Sequence, residues 1–198
     1  VLLLFCHVKK ISFLAFADLG VHGLFIGQLI GRWGNFMNVE AYGGPTTLPW
    51  RMCGESIARN MLDQGYVDQA GYQAILSGNL GVHPTFLYES LWNLAGLFLV
   101  YHLGKKRRFD GQCFLFYVFW YGLGRAWIEG LRTDSLYLYE GSAIRVSQLL
   151  AALSAVIALA ATVCLWRRSK RHPAPLYVDR LARQQASQAE PEQPEEKE

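Results

Sequence analysis

The chain has 198 residues, a formal net charge of +3, and is 52% hydrophobic and 14% aromatic. Length alone would permit a soluble domain. The apolar residues instead fall in long blocks separated by short basic runs, the pattern of a polytopic helical membrane protein with no nucleic-acid partner.

Residues 2–8 are apolar and end in Lys9-Lys10, a pair expected on the cytoplasmic side. Residues 1–6 lack an initiator Met and a basic n-region, so they read as the end of a helix whose start lies upstream. A fragment without its first helices is therefore expected. The first full crossing covers residues 11–31, about 21 residues or roughly 30 Å. Asp18, His22 and Gln28 within it should face other helices or a cavity. Gly23, Gly27 and Gly31 recur every four residues, a stripe that lets another helix approach closely.

With the lysines inside, Arg32 emerges outside. Residues 45–82 are more polar and read as an outer-face insertion with one short amphipathic helix. The second crossing, residues 83–104, opens on His83-Pro84, and a proline in the first turn starts a helix well. It ends in Lys105-Lys106-Arg107-Arg108, an inside marker, and Asp110-Gly111 makes a tight return. The third crossing, residues 111–131, is aromatic-rich and carries Arg125 and Glu129. Residues 132–144 form an outer loop. The fourth crossing, residues 145–166, stops at Arg167-Arg168-Ser169-Lys170-Arg171, again inside. Residues 167–198 have few large apolar side chains and read as a disordered cytoplasmic tail.

The expected fold is thus all-α: about four full transmembrane helices plus the end of a truncated one, in a membrane domain over residues 1–166. Trp33, Trp127, Tyr137 and Tyr139 suit an outer aromatic belt, and Trp166 the inner one. Cys6, Cys53, Cys113 and Cys164 read as structural, because none forms a CxxC pair and no metal-ligand spacing is present. No metal or other cofactor is expected.

This topology gathers the costly polar residues at the outer side. Arg32, Asn35, Asn38 and Glu40 follow the first crossing. His83, Thr85, Tyr88 and Glu89 open the second. Arg125, Glu129 and Arg132 lie late in the third or beyond it, and Arg145 and Gln148 start the fourth. Tyr121, Arg125 and Glu129 are spaced i, i+4, i+8 and share one helix face. A guanidinium binds two phosphate oxygens at once, so two arginines in the outer leaflet suggest a lipid-phosphate site. Other readings stand beside this one. Arg32 could snorkel to headgroups, with Gly34, Asn35 and Asn38 arguing for a shaped polar turn instead. Arg125 with Glu129 could be an interhelical clamp, His83 could only cap its helix, and His22 reads as a packed residue.

The run Gly31-Arg32-Trp33-Gly34-Asn35-Phe36-Met37-Asn38-Val39-Glu40, followed by Gly43, resembles the signature of the bacterial prolipoprotein diacylglyceryl transferases. Three further pieces resemble the same family in the same order: residues 83–89 (His83 to Glu89), residues 121–132 (Tyr121 to Arg132), and Ser147-Gln148. The resemblance covers roughly residues 8–166. It implies a multi-pass enzyme of the bacterial cytoplasmic membrane with its site toward the outer leaflet. Such enzymes move the diacylglyceryl group of phosphatidylglycerol onto the lipobox cysteine thiol in the signal peptide region of a prolipoprotein, and glycerol-1-phosphate is released. The resemblance implies that Arg32 and Arg125 are catalytic. It also implies that Asn35, Asn38, Glu40, Gly43, His83, Tyr121 and Glu129 join Arg32 in binding substrate. The family's upstream His-Gly-Gly motif is absent, since His22-Gly23-Leu24 lies too near the signature.

In the implied reaction, positive charge stabilises the departing phosphate and the thiol loses its proton. Arg32 and Arg125 supply the charge. Among visible residues His83 and Glu129 are the options for a base. A non-enzymatic phospholipid-binding scaffold, half a transporter or an inactive fragment of the transferase are the other readings.

Overall fold

The computed structural model describes residues 1–131 and 146–189. Helix α1 (Leu2–Val8) turns at Lys9-Lys10 into α2 (Phe13–Met37). A small insertion follows, made of β1 (Pro45–Thr46), α3 (Glu55–Asp63), α4 (Gln69–Leu76) and β2 (Gly81–Val82). Then come α5 (Thr85–Gly104), α6 (Gln112–Ile128), a 3-10 turn (Glu129–Leu131), α7 (Val146–Arg171) and α8 (Tyr177–Ala189). Arg132, Tyr137, Tyr139 and Arg145 lie outside the described residues.

The predominantly helical architecture agrees with the composition. Helices α2 and α7 are each long and apolar enough to cross a membrane. Among the described residues these two alone meet that test; the other two expected crossings fall on α5, of 20 residues, and α6, of 17. Helix α2 packs on α5, α5 on α6 and α6 on α7, and α6 reaches back to α2. The outer faces carry exposed Leu24, Ile30, Leu94, Phe98, Leu153 and Ile157, whereas Asp18, Glu89, Asn93 and Glu129 are buried between helices.

Particular side chains set these contacts. Ser12 caps α2, its Oγ accepting from the Ala15 N–H at 3.5 Å. Buried Asp18 accepts from the backbone N–H of Gly111 (2.9 Å) and Phe114 (3.0 Å), so α2 caps the start of α6. Trp92 of α5 and Trp120 of α6 stack with centroids 4.3 Å apart. Each indole N–H donates to the other residue's carbonyl, at 3.0 and 2.9 Å. Gly96 and Gly124 leave the space for these rings: a Cβ at Gly96 would press on Trp120, and one at Gly124 on Trp92. At the α6–α7 contact, a Cβ on Gly122 would meet the Ala151 carbonyl at 2.6 Å.

Four expectations need correction. First, the signature run does not follow the first crossing as a turn: residues 31–37 continue α2, and the chain turns only at residues 38–44. Gly34 weakens the helix by roughly 1 kcal/mol. Ring contacts of Trp33 and Phe36 with Phe86, at 5.3 and 4.8 Å, hold this last part in place. Second, Gly23, Gly27 and Gly31 have nothing within 4 Å of a Cβ built on them among the described residues. The close helix approaches occur at Gly96 and Gly122 instead.

Third, residues 45–82 hold two helices and a two-residue antiparallel ladder, Pro45 opposite Val82 and Thr46 opposite Gly81. Tyr42, Ile57, Ala58, Met61, Ile75 and Val82 form a core of their own beneath them. Arg51 closes this unit through carbonyls: its Nε donates to Gly78 O at 2.9 Å and its Nη1 to Leu48 O at 2.9 Å. Fourth, the tail after residue 166 is not wholly irregular. Helix α7 runs on to Arg171, and α8 follows, with Asp110 Oδ2 accepting from the Tyr177 N–H at 3.0 Å in its first turn. Residues 190–198 lie outside the described part.

Candidate functional site

The end of α2, the start of α5, the end of α6 and the start of α7 meet at one end of the helical layer. Arg32, late in α2, reaches across to Glu89 in the first turns of α5, with Nη2–Oε2 at 2.7 Å. Both side chains are largely buried, at 19% and 8% exposed. Arg125 pairs with Glu129 one turn on, at 2.9 Å and with 22% and 3% exposed. Glu129 also accepts from Ser147 Oγ at 2.9 Å, and Gln148 donates to the Ala126 carbonyl at 2.5 Å. The carboxylate thereby ties the end of α6 to the start of α7.

One member of each pair, Glu89 and Arg125, lines a common crevice. Glu89, Trp92 and Asn93 of α5 line it on one side, and Tyr121, Gly124 and Arg125 of α6 on the other. Its volume is only about 20 Å³, so it is a seam between side chains rather than an open chamber. Tyr121 is held there by stacking on Tyr117, with centroids 5.9 Å apart. Arg32 reaches the seam through Glu89. A guanidinium has five N–H donors, so a one-point pair through Nη2 leaves each arginine able to grip an oxyanion as well.

The remaining expected site residues form a second group and a turn. Gly43 is buried where the loop after α2 meets the start of α5: its N–H donates to the His83 carbonyl at 2.9 Å. A Cβ there would lie 2.7 Å from both the His83 Cβ and the Leu131 carbonyl. Only glycine fits without moving backbone. Gly44 donates to Leu131 O at 3.0 Å, which links this loop to the 3-10 turn that Glu129 opens. His83 Nδ1 lies 3.2 Å from the Tyr88 hydroxyl, which also accepts from Trp50 Nε1 at 2.9 Å. Thr85 Oγ1 donates to the Ala41 carbonyl.

Asn38 and Glu40 stand apart on the exposed turn and pair with each other, Nδ2 to Oε1, at 3.2 Å. The flanking Val39 and Ala41 adopt positive φ, 54° and 56°. For valine in particular that conformation is unusual and strained. Asn35 supports the turn through its backbone, its carbonyl accepting from the Glu40 N–H at 3.0 Å.

The structure therefore joins Arg32, Tyr121, Arg125 and Glu129 through one seam, sets Gly43 with His83 beside it, and leaves Asn38 and Glu40 on the turn. Sequence reasoning placed Glu89 at the outer end but not in the site, and it passed over Asn93. Glu89 and Asn93 are four apart in an apolar helix, the same spacing that singled out Arg125 and Glu129.

Comparison with known proteins agrees with the signature. The family model for prolipoprotein diacylglyceryl transferase matches residues 1–166. The phosphatidylglycerol–prolipoprotein diacylglyceryl transferase of Lysinibacillus sphaericus is 42% identical over 176 residues, covering 89% of this chain and 60% of the relative. The Listeria innocua protein of that name is also 42% identical over 176 residues, covering 89% and 57%. That of Acaryochloris marina is 38% identical over 173 residues, covering 86% and 57%. The chain thus spans about three-fifths of the length of these curated relatives. With its signature run and both arginine–carboxylate pairs inside the matched residues, the chain belongs to the prolipoprotein diacylglyceryl transferase family.

Proposed function

We propose that this chain is the site-bearing part of an enzyme that transfers the diacylglyceryl group of phosphatidylglycerol to the lipobox cysteine of a prolipoprotein. The observation that carries the reading is the meeting of two buried arginine–carboxylate pairs from different helices at one seam. A charge taken to that depth is expensive without a partner or a task. Sulfur attacks the glycerol carbon that bears the phosphate, the C–O bond breaks, and glycerol-1-phosphate leaves. The phosphodiester carries one negative charge and the departing monoester two. Guanidinium donors placed at the phosphate therefore bind the transition state better than the ground state.

In this reading α2, α5, α6 and α7 all cross the bacterial cytoplasmic membrane. Buried polar and exposed apolar side chains support this, as does the grouping of basic runs at the end opposite the seam. The seam faces the outer leaflet and the insertion of residues 45–82 lies outside. Asn35, Asn38, Glu40 and Gly43 shape the entrance, Tyr121 and His83 flank the headgroup, and Arg32 and Arg125 bind the phosphate.

The test is transfer of labelled lipid to a lipobox peptide by the complete protein that carries this chain. Arg32→Ala and Arg125→Ala should each lower kcat/KM by about 100-fold or more, the usual effect of removing a transition-state donor. Wild-type rates from either variant overturn the two-arginine mechanism. Phosphatidylglycerol binding without any peptide labelling supports a scaffold instead.

A further inference from the structure

We propose that the end of α7 and the start of α8 form a second lipid site, which holds the headgroup and one acyl chain of an anionic phospholipid in the cytoplasmic leaflet. It rests on the reading of α7 as a crossing whose basic end is inside, and it lies at the opposite end from the seam described above.

Two concavities meet there. One, of about 290 Å³, lies between the α5–α6 turn, α7 and α8, and Arg108, Arg168, His172 and Arg180 line it. Asp110 is the carboxylate among them: it holds the first turn of α8 at Tyr177 and stands 3.9 Å from Arg180. Three guanidiniums against one carboxylate leave the cavity positive. The other concavity, of about 860 Å³, is a groove that runs up α7 past Val156, Leu159 and Val163. Arg168 and His172 line both. Arg168 and His172 thus stand between an apolar face of α7 and a positive cavity, an arrangement that suits an acyl chain joined to a phosphate.

The surroundings favour a lipid over a soluble anion. Val156, Leu159 and Val163 are exposed, at 65%, 49% and 40%, on a helix fit to cross a bilayer. Lys170 sits 3.8 Å above the Trp166 ring, a pairing suited to headgroup level. Helix α8 continues the pattern: Val178 and Leu181 are exposed on it beside Arg180 and Arg183. Such a helix lies in the interface, with its apolar side chains in the acyl boundary and its basic ones at anionic headgroups. Most of the headgroup pocket comes from residues after 166, beyond the family match.

The test reconstitutes the complete protein in vesicles that contain a phosphatidylglycerol or phosphatidylcholine probe with a photoreactive group in the acyl chain. Adducts are mapped residue by residue. The phosphatidylglycerol probe should label Val156, Leu159 and Val163 well above the phosphatidylcholine probe. The triple variant Arg168→Gln/His172→Gln/Arg180→Gln should lower that labelling about ten-fold. Arg168→Lys/Arg180→Lys, which keeps the charge, should retain most of it and so controls for folding. Equal labelling by both probes, or no change in the triple variant, overturns the proposal alone. Binding of inorganic phosphate to the wild-type protein together with equal labelling by both lipid probes assigns the cavity to a soluble anion and also overturns it. Absence of any adduct on α7 with either probe overturns the membrane reading beneath it.

Discussion

Glu89 decides how Arg32 behaves. Its carboxylate is 8% exposed and holds the guanidinium at 2.7 Å. Removing one partner of a buried pair leaves the other charge uncompensated, at a loss of about 3–5 kcal/mol when it is fully dry. Arg32 keeps 19% of its side-chain exposure, so the loss in Glu89→Gln should fall below that range. If a lipid phosphate occupies this seam, it can take over as the counter-ion. Glu89→Gln should therefore unfold at a lower temperature in neutral detergent. Mixed micelles with phosphatidylglycerol should recover more stability in the variant than they add to the wild type. Thermal unfolding of both proteins, with and without the lipid, measures this. Equal stabilisation would mean that the phosphate binds elsewhere.

Among the elements, α6 depends on a cap supplied by another helix. Its own N-cap is Gly111, at φ 93°, which has no side chain to offer. Asp18, buried in α2, fills that role by accepting from the N–H groups of Gly111 and Phe114. Asp18→Ala would leave both donors buried without that acceptor, a loss of about 2–3 kcal/mol. The expected result is a lower unfolding temperature, with faster hydrogen exchange at Phe114 than at mid-helix amides. An unchanged exchange rate there would show that the cap is dispensable. The sequence revealed Asp18 as a polar residue in need of a partner but not which one, because an N-terminus 93 residues away leaves no local mark. The same limit explains Glu89. The helix ends are hidden in the sequence for a different reason. Gly31 and Gly34 look like breakers, yet ring contacts with Phe86, distant in sequence, carry α2 on to Met37. The insertion was legible as polar, but its paired helices depend on a core that Tyr42 and Val82 close from outside α3 and α4.

For the whole molecule, the helices carry apolar side chains on their outer faces as well as inside, unlike a water-soluble bundle, and that feature was legible from apolar blocks and basic runs alone. Buried Asp18, Glu89, Asn93 and Glu129 face exposed leucines and isoleucines across the same helices. In the proposed membrane setting this arrangement lets an arginine–carboxylate seam persist: the charges partner one another while the apolar faces would meet lipid. It also yields a topological test. Cys53 is exposed in the insertion, its Sγ 3.3 Å from the Leu80 carbonyl, whereas Cys6 and Cys113 are buried. Cys164 is exposed on α7 next to Trp166, near the basic end that the proposed topology places inside, away from an external reagent. A membrane-impermeant maleimide applied to intact cells, after removal of any outer envelope, should therefore tag Cys53. A cysteine introduced at Ser187, exposed on α8, should react only once the membrane is opened. In the proposed topology the two sites differ because the basic runs after α5 and α7 would face the anionic inner surface. Labelling of both from outside would place the seam and the basic end on one side of the membrane. The four-crossing arrangement could not then stand, and the outer-leaflet site would fall with it.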